Sequence, residues 1–370
     1  MPGPPEFREV FARHWRRYHA AHGARMPRAH LRAAQAILDC HTAALGGSLY
    51  ACADCGQKHY SHHSCNHRNC PQCGYGDALE WAARQEEKLL PGIPYSLVTF
   101  TVPGALRRTF RSNQELCYRL LFKASAAALQ EVAGKKKHLG AQLGMTGVLH
   151  TWTRQMEYHP HIHYIVAQGG LIPTGGWARS RAPNYFLPVK QLSAQVRTNL
   201  RRALEQEDPQ LYKTIPTPQW HKGWNVHISA AGNGAHAITY LSRYVNQTAL
   251  SRKRILADDR QHVTIGYTES GTGEKKAMRL TGHEFIRRFL QHVLPKGFKR
   301  LRHYGWSSPA AHKKLTRIRA LLDWRAPELA ESEPYAPTCR KCAGALVLVT
   351  SWKRGRAPPQ ARLQSIPLHD

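Results

Sequence analysis

The sequence predicts an α+β protein, with an antiparallel sheet and flanking helices preceded by a helical and zinc-binding module. Three observations predict it. Strand-like and helix-like segments follow one another over 93–295 without a regular βαβ alternation, a Cys/His-rich stretch (48–75) separates two helical regions, and beyond 296 the chain turns basic and Pro-punctuated. With 42% apolar residues in 370, the chain can bury one large core plus smaller modules.

Residues 1–47 read as helical, with apolar residues at helical spacing in "FREVFARHWRRYHAAH" and "RAHLRAAQAILDCHTAAL" and a stop at Gly46-Gly47. Residues 48–92 form a Cys/His module followed by a linking helix, "DALEWAARQEEKLL", which Pro91-Gly92 ends. The main domain is expected over 93–306. "YSLVTFTVP" (95–103) is β-branched, aromatic and Pro-bounded, so it reads as a buried strand. A long helix (113–133) comes next, then strands at 145–152 and 160–170 joined by a short polar connection. A helix (189–207), a strand (224–230) and a helix (235–250) follow. The hairpin 262–267 with 276–280 turns on "SGTGE", and a helix (282–294) closes the series. Residues 307–370 hold a basic helix and a CxxC tail.

Fifty-three Lys and Arg face 24 Asp and Glu, a net charge of +29. Such a field gathers polyanions, and DNA is the expected partner. Two basic runs are candidate DNA contacts: Lys296, Lys299, Arg300 and Arg302, then Lys313, Lys314, Arg317 and Arg319. Tyr304 and Trp306 interleave with the first run and are candidates to stack on unpaired bases. No apolar run reaches the roughly 18 residues that span a bilayer, and the charged, aromatic N-terminus is no signal peptide. The expectation is a soluble cytoplasmic protein with no membrane partner. No GxxxxGK[ST] loop is present, so no nucleotide cofactor is expected.

Five of nine cysteines fall between Cys52 and Cys73. Cys52-x₂-Cys55 and Cys70-x₂-Cys73 each offer two thiolates, and together they predict one structural Zn²⁺ in a Cys₄ shell. Cys65 or His67 could substitute for one ligand. Cys339 and Cys342 form a third CxxC, which either borrows ligands elsewhere or stays unliganded; Cys40 and Cys117 stand alone.

The stretch "EYHPHIHYIV" (157–166) puts His159, His161 and His163 on one side of a strand, because side chains alternate across it. His150, in the preceding strand, can complete a three-histidine site. In "YLSRYV", Tyr240 and Tyr244 lie four apart and share a helical face. A divalent ion beside a tyrosine hydroxyl, in a strongly basic chain, suits nucleophilic phosphoryl transfer on DNA.

With these motifs, and with "YACADCGQKHYSHHSCNHRNCPQC" and "LVTFTVP" before them, the chain resembles the HUH endonucleases. Within that superfamily it is similar to rolling-circle insertion-sequence transposases of two-tyrosine type with an N-terminal zinc-binding domain. The resemblance covers roughly residues 10–306. It implies an HUH-type antiparallel sheet with the HxH pair, His161 and His163, on a central strand and the tyrosine helix facing it. It also implies Mg²⁺ or Mn²⁺ as catalytic ion, with His150, then Gln247, then His159 as candidates for the third ligand. Tyr240 and Tyr244 become nucleophiles that nick single-stranded or hairpin element ends through a 5′-phosphotyrosine. A plasmid relaxase or replication initiator would use the same site, and a zinc-dependent DNA-binding regulator would bind without cleaving.

Overall fold

The computed structural model describes residues 6–73, 75–180, 185–245, 249–324, 337–356 and 366–367. The first half runs α1 (Phe7–His22), α2 (Arg28–Asp39), β1 (Gly46–Cys52), β2 (Lys58–His62), α3 (Tyr75–Glu86), β3 (Tyr95–Thr101), α4 (Arg107–Ser112), α5 (Gln114–Ala133), β4 (Gly144–Trp152) and β5 (Tyr158–Ala167). It continues with β6 (Gly169–Leu171), β7 (Trp177–Arg179), α6 (Val189–Glu207), α7 (Pro209–Lys213), β8 (Asn225–Ala230) and α8 (Ala235–Val245). After these come β9 (Ile255–Asp258), β10 (His262–Thr268), β11 (Lys275–Thr281), α9 (Gly282–Leu290), β12 (Leu301–Gly305), α10 (His312–Leu321), β13 (Leu346–Lys353) and β14 (Ile366–Pro367).

The chain divides into two units. One gathers Met1–Gly74, Leu250–Val293 and Glu328–Asp370; the other gathers Tyr75–Ala249 and Leu294–Pro327. The second is built on a five-stranded antiparallel sheet of order β12-β4-β5-β3-β8, with β5 in the middle. Alternation sorts β5 cleanly. Ile162, Tyr164 and Val166 join a core with Leu121, Phe122 and Leu129 of α5 and Leu192, Val196 and Leu200 of α6. On the other face Ile165 and Ala167 meet Trp81 of α3 and Ala237, Ile238 and Leu241 of α8. Gly147 of β4 is required there, because a Cβ would lie 2.5 Å from the Tyr164 ring. With both faces of the sheet covered, its middle strand is held in one register.

In the first unit, α1 lays Phe7 and Phe11 against Phe285 and Phe289 of α9, with ring centres 5.2–6.2 Å apart. Asp258 at the end of β9 pairs with both Arg13 and His14 of α1. Among the described residues, the strands of this unit form two sheets, β13-β1-β2-β14 and β11-β10-β9, while β6 and β7 pair as a short ribbon in the second unit. This differs from the boundaries expected from sequence. The hairpin and helix over 255–290, expected inside the domain 93–306, belong with α1, and the tail strand β13 pairs with β1. The linking helix α3, expected with the zinc module, belongs with the sheet of the second unit. Periodicity reveals that α9 has an apolar stripe but carries no information about which distant helix covers it. Among the described residues, no helix is long and apolar enough to cross a membrane.

Candidate active site

The β4–β5 register sets His150 directly opposite His161, and the β3–β5 register sets Thr99 opposite His163. The ring centres of His150, His161 and His163 are 4.5–5.1 Å apart. One ring nitrogen from each lies within 4.8 Å of the others. Two bonds fix the orientation. The Nδ1–H of His161 donates to the His159 carbonyl at 2.7 Å, and Nδ1 of His163 is 2.7 Å from the Thr99 hydroxyl. Each bond occupies Nδ1 and leaves Nε2 as the candidate ligand atom, the arrangement in which an outer partner orients a metal-binding histidine. His150 stacks on Trp152 with ring planes 10° apart, at a register irregularity in the β4–β5 ladder. A bulge re-aims side chains at such a place.

Burial depresses the basicity of all three rings. It pushes His161 down to about 4, and it holds His150 and His163 well below the ordinary histidine range, reinforced by their neighbours' positive charge. Neutral imidazoles keep their lone pairs for a cation at physiological pH. The donor set therefore fits a divalent ion. His159 lies outside the triad and serves it through its carbonyl.

Helix α8 begins at the turn Asn233-Gly234, where the Asn233 side chain accepts from the Ala235 amide at 3.1 Å. Ala237, Ile238 and Leu241 are buried, which turns Tyr240 toward the histidines. Its ring centre is 5.9 Å from that of His163, edge-on at 90°, and it remains 38% exposed. Tyr244 is one turn further along α8. Its side chain, and Gln247 entirely, lie outside the described residues.

The cysteines are not grouped as expected. Cys70 and Cys73 lie with Cys65 and with Cys40, the residue that seemed isolated, whereas Cys52 and Cys55 lie with Cys339 and Cys342. The four residues expected to share one shell are thus divided between two clusters. Spacing pairs cysteines within a knuckle, but the end of α2 brings Cys40 to the first cluster and the β1–β13 ladder brings the tail to the second.

The basic runs also divide. Lys296, Lys299, Lys313, Lys314 and Arg317 are exposed. Arg300 is buried over Trp152, and Arg302 packs 4.6 Å from the Phe122 ring centre. Arg319 covers the Trp324 ring at 3.8 Å. Trp306 is buried against Trp177, and Tyr304 is half-buried beside Tyr164. The stretch "LRHYG" is the edge strand β12, whose residues are half-buried, and it is flanked by the buried Arg300 and Trp306, which make packing contacts.

Two family models match the chain. The model described as "Transposase zinc-binding domain" matches residues 10–102, and that described as "Putative transposase" matches 144–315. The chain is 34% identical to the "Putative transposase y4qJ" of Sinorhizobium fredii over 352 residues, covering 90% of this chain and 87% of that protein. The chain belongs to the IS801/IS91-type transposase family. The transposase is also 26% identical to the "Transposase for insertion sequence element IS801" of Pseudomonas savastanoi pv. phaseolicola, over 82% of this chain and 77% of that protein.

A mixed α+β fold with antiparallel sheets and a zinc-binding N-terminal domain is thus what the transposase has, and DNA is its substrate. Sequence reasoning missed two contributors in the transposase. Thr99 was visible as part of "LVTFTVP", yet its role depends on cross-strand register. Cys40 gave no spacing signal, since 24 residues separate it from Cys65.

Proposed function

We propose that the transposase nicks and rejoins single-stranded DNA at insertion-sequence ends, with Tyr240 or Tyr244 as nucleophile and His150, His161 and His163 as ligands of a catalytic Mg²⁺ or Mn²⁺. The observation that carries this reading is the edge-on approach of Tyr240 to His163, beside three converging neutral imidazoles. A cation held there supplies Lewis-acid polarisation of the scissile phosphate. Attack by the tyrosine Oη forms an O–P bond to the 5′-phosphate as the bond to the 3′-oxygen breaks. The hydroxyl proton is balanced by the 3′-hydroxyl released. The phosphotyrosine conserves the energy of the broken bond, so rejoining needs no nucleotide cofactor. The exposed Lys296, Lys299, Lys313, Lys314 and Arg317 are placed to hold phosphates, in unpaired or hairpin ends. The setting would be the cytoplasm, on chromosomal or plasmid DNA.

The test is incubation of the full chain with labelled single strands carrying element ends plus Mn²⁺. The expected product is a denaturation-resistant protein–DNA adduct with a free 3′-hydroxyl on the other fragment. Cleavage that leaves free 5′-phosphates and no adduct would make water the nucleophile and end this reading. Thr99→Val should weaken the apparent Mn²⁺ affinity about 10–100-fold, since it removes the partner that orients His163. A Mn²⁺ titration of cleavage reads this effect, and excess ion should restore most of the rate.

A further inference from the structure

Cys52 and Cys55, at the end of β1, face Cys339 and Cys342, just ahead of β13, across the β1–β13 ladder. Their Sγ–Sγ distances are 3.4 Å (Cys52–Cys342), 3.4 Å (Cys55–Cys342) and 3.7 Å (Cys55–Cys339). A disulfide needs about 2.05 Å. The edge of a tetrahedron of thiolates around Zn²⁺ is about 3.8 Å, given Zn–S of about 2.3 Å. The four sulfurs therefore have ion-binding spacing, not cross-linking spacing.

The two loops repeat one design. In each, the amide after the second cysteine donates to the carbonyl of the first: Gly56 to Cys52 at 3.1 Å, Ala343 to Cys339 at 2.8 Å. Each turn ends in the left-handed region, Gly56 at φ 68° and Ala343 at φ 63°. An alanine seldom adopts that conformation, so the tail has accepted local strain to copy the knuckle. Gly344 follows because a Cβ there would lie 2.0 Å from Asp54 and 3.1 Å from the Cys52 sulfur. The buried His59 places Nε2 3.2 Å from the Cys339 sulfur, and the Lys341 amide donates to the same atom at 3.4 Å. Donors of this kind stabilise a metal-bound thiolate. Among the described residues, the apolar cluster around the site is Cys52, Cys339 and Leu346 with Tyr50 packed on it, so a bound metal would add to what burial holds there.

We propose that Cys52, Cys55, Cys339 and Cys342 bind a second structural Zn²⁺, separate from the Cys40, Cys65, Cys70 and Cys73 cluster, that fastens the tail to β1. Cys339 and Cys342 fall outside the residues matched by either family model. The proposal is independent of the tyrosine chemistry.

The test is zinc content of the purified full chain by elemental analysis. Two ions per chain are expected, and one ion would overturn the proposal without any variant being needed. Cys339→Ser/Cys342→Ser should hold one ion, whereas two retained ions would also overturn it. Replacement of zinc by Co²⁺ gives a second readout. The thiolate-to-cobalt charge-transfer band should fall by about half in the tail variant, and an unchanged band would refute the site. Chelation should render residues 337–356 sensitive to protease in the native chain; equal resistance with and without zinc would count against the fastening role.

Discussion

With phenylalanine at both 240 and 244, the covalent DNA adduct is expected to disappear, a loss of at least about 10³-fold in cleavage. The substitution removes a hydroxyl and keeps the ring, so the edge-on contact of residue 240 with His163 survives. Tyr240 is 38% exposed, so Tyr240→Phe should leave thermal unfolding nearly unaltered, and a melting curve of the double variant checks that loss of activity reports chemistry rather than folding. Both positions must change together, since Tyr244 follows one turn later and either hydroxyl could serve. The single variants then assign order: Tyr240→Phe should cost more if the residue beside the triad attacks first. An adduct that persists in the double variant would place the nucleophile elsewhere.

His161→Ala or His163→Ala should lower adduct formation about 10²–10⁴-fold at fixed Mn²⁺ while leaving single-strand binding intact. In the proposed mode, binding would draw on exposed lysines and arginines, whose contribution falls with salt, and neither histidine adds charge at neutral pH because burial lowers the basicity of both rings. The double variant should be little worse than either single one, since the ligands act as a unit. Loss of cleavage and of DNA binding in parallel would instead mean that the sheet had collapsed. Equal cleavage with and without the imidazoles would remove the triad from the mechanism.

The legibility of this molecule from sequence followed the range over which each signal acts. Strand alternation is local, and "HPHIHYIV" placed three histidines on one face with aliphatic residues on the other, as the sheet has them. The pairing of His150 with His161 was within reach because a short connection joins their strands. What stayed hidden was long-range. Nothing in "CRKC" names Cys52 as its partner 287–290 residues away, and nothing in "EFIRRFL" names Phe7. In the basic runs, charge density is equally silent on placement: Arg300, just ahead of β12, and Arg302, within it, lie against the rings of Trp152 and Phe122.

The three-part composition of the first unit bears on how the polypeptide must be made. Its α1 helix leaves the ribosome early, yet the phenylalanines of α9 that cover it are some 280 residues behind, and β13, the partner of β1, is still later. The sheet unit around β5 needs little beyond its own contiguous stretch and one late strand, β12, so it can begin to collapse first. Chains made as far as residue 281 would therefore carry β3, β4, β5 and β8, four of the five strands of the β5 sheet, while the first unit still lacks α9 and β13. Ribosome-stalled chains ending before residue 282 should show protease-resistant fragments from the β3–β8 region while α1 is still cut.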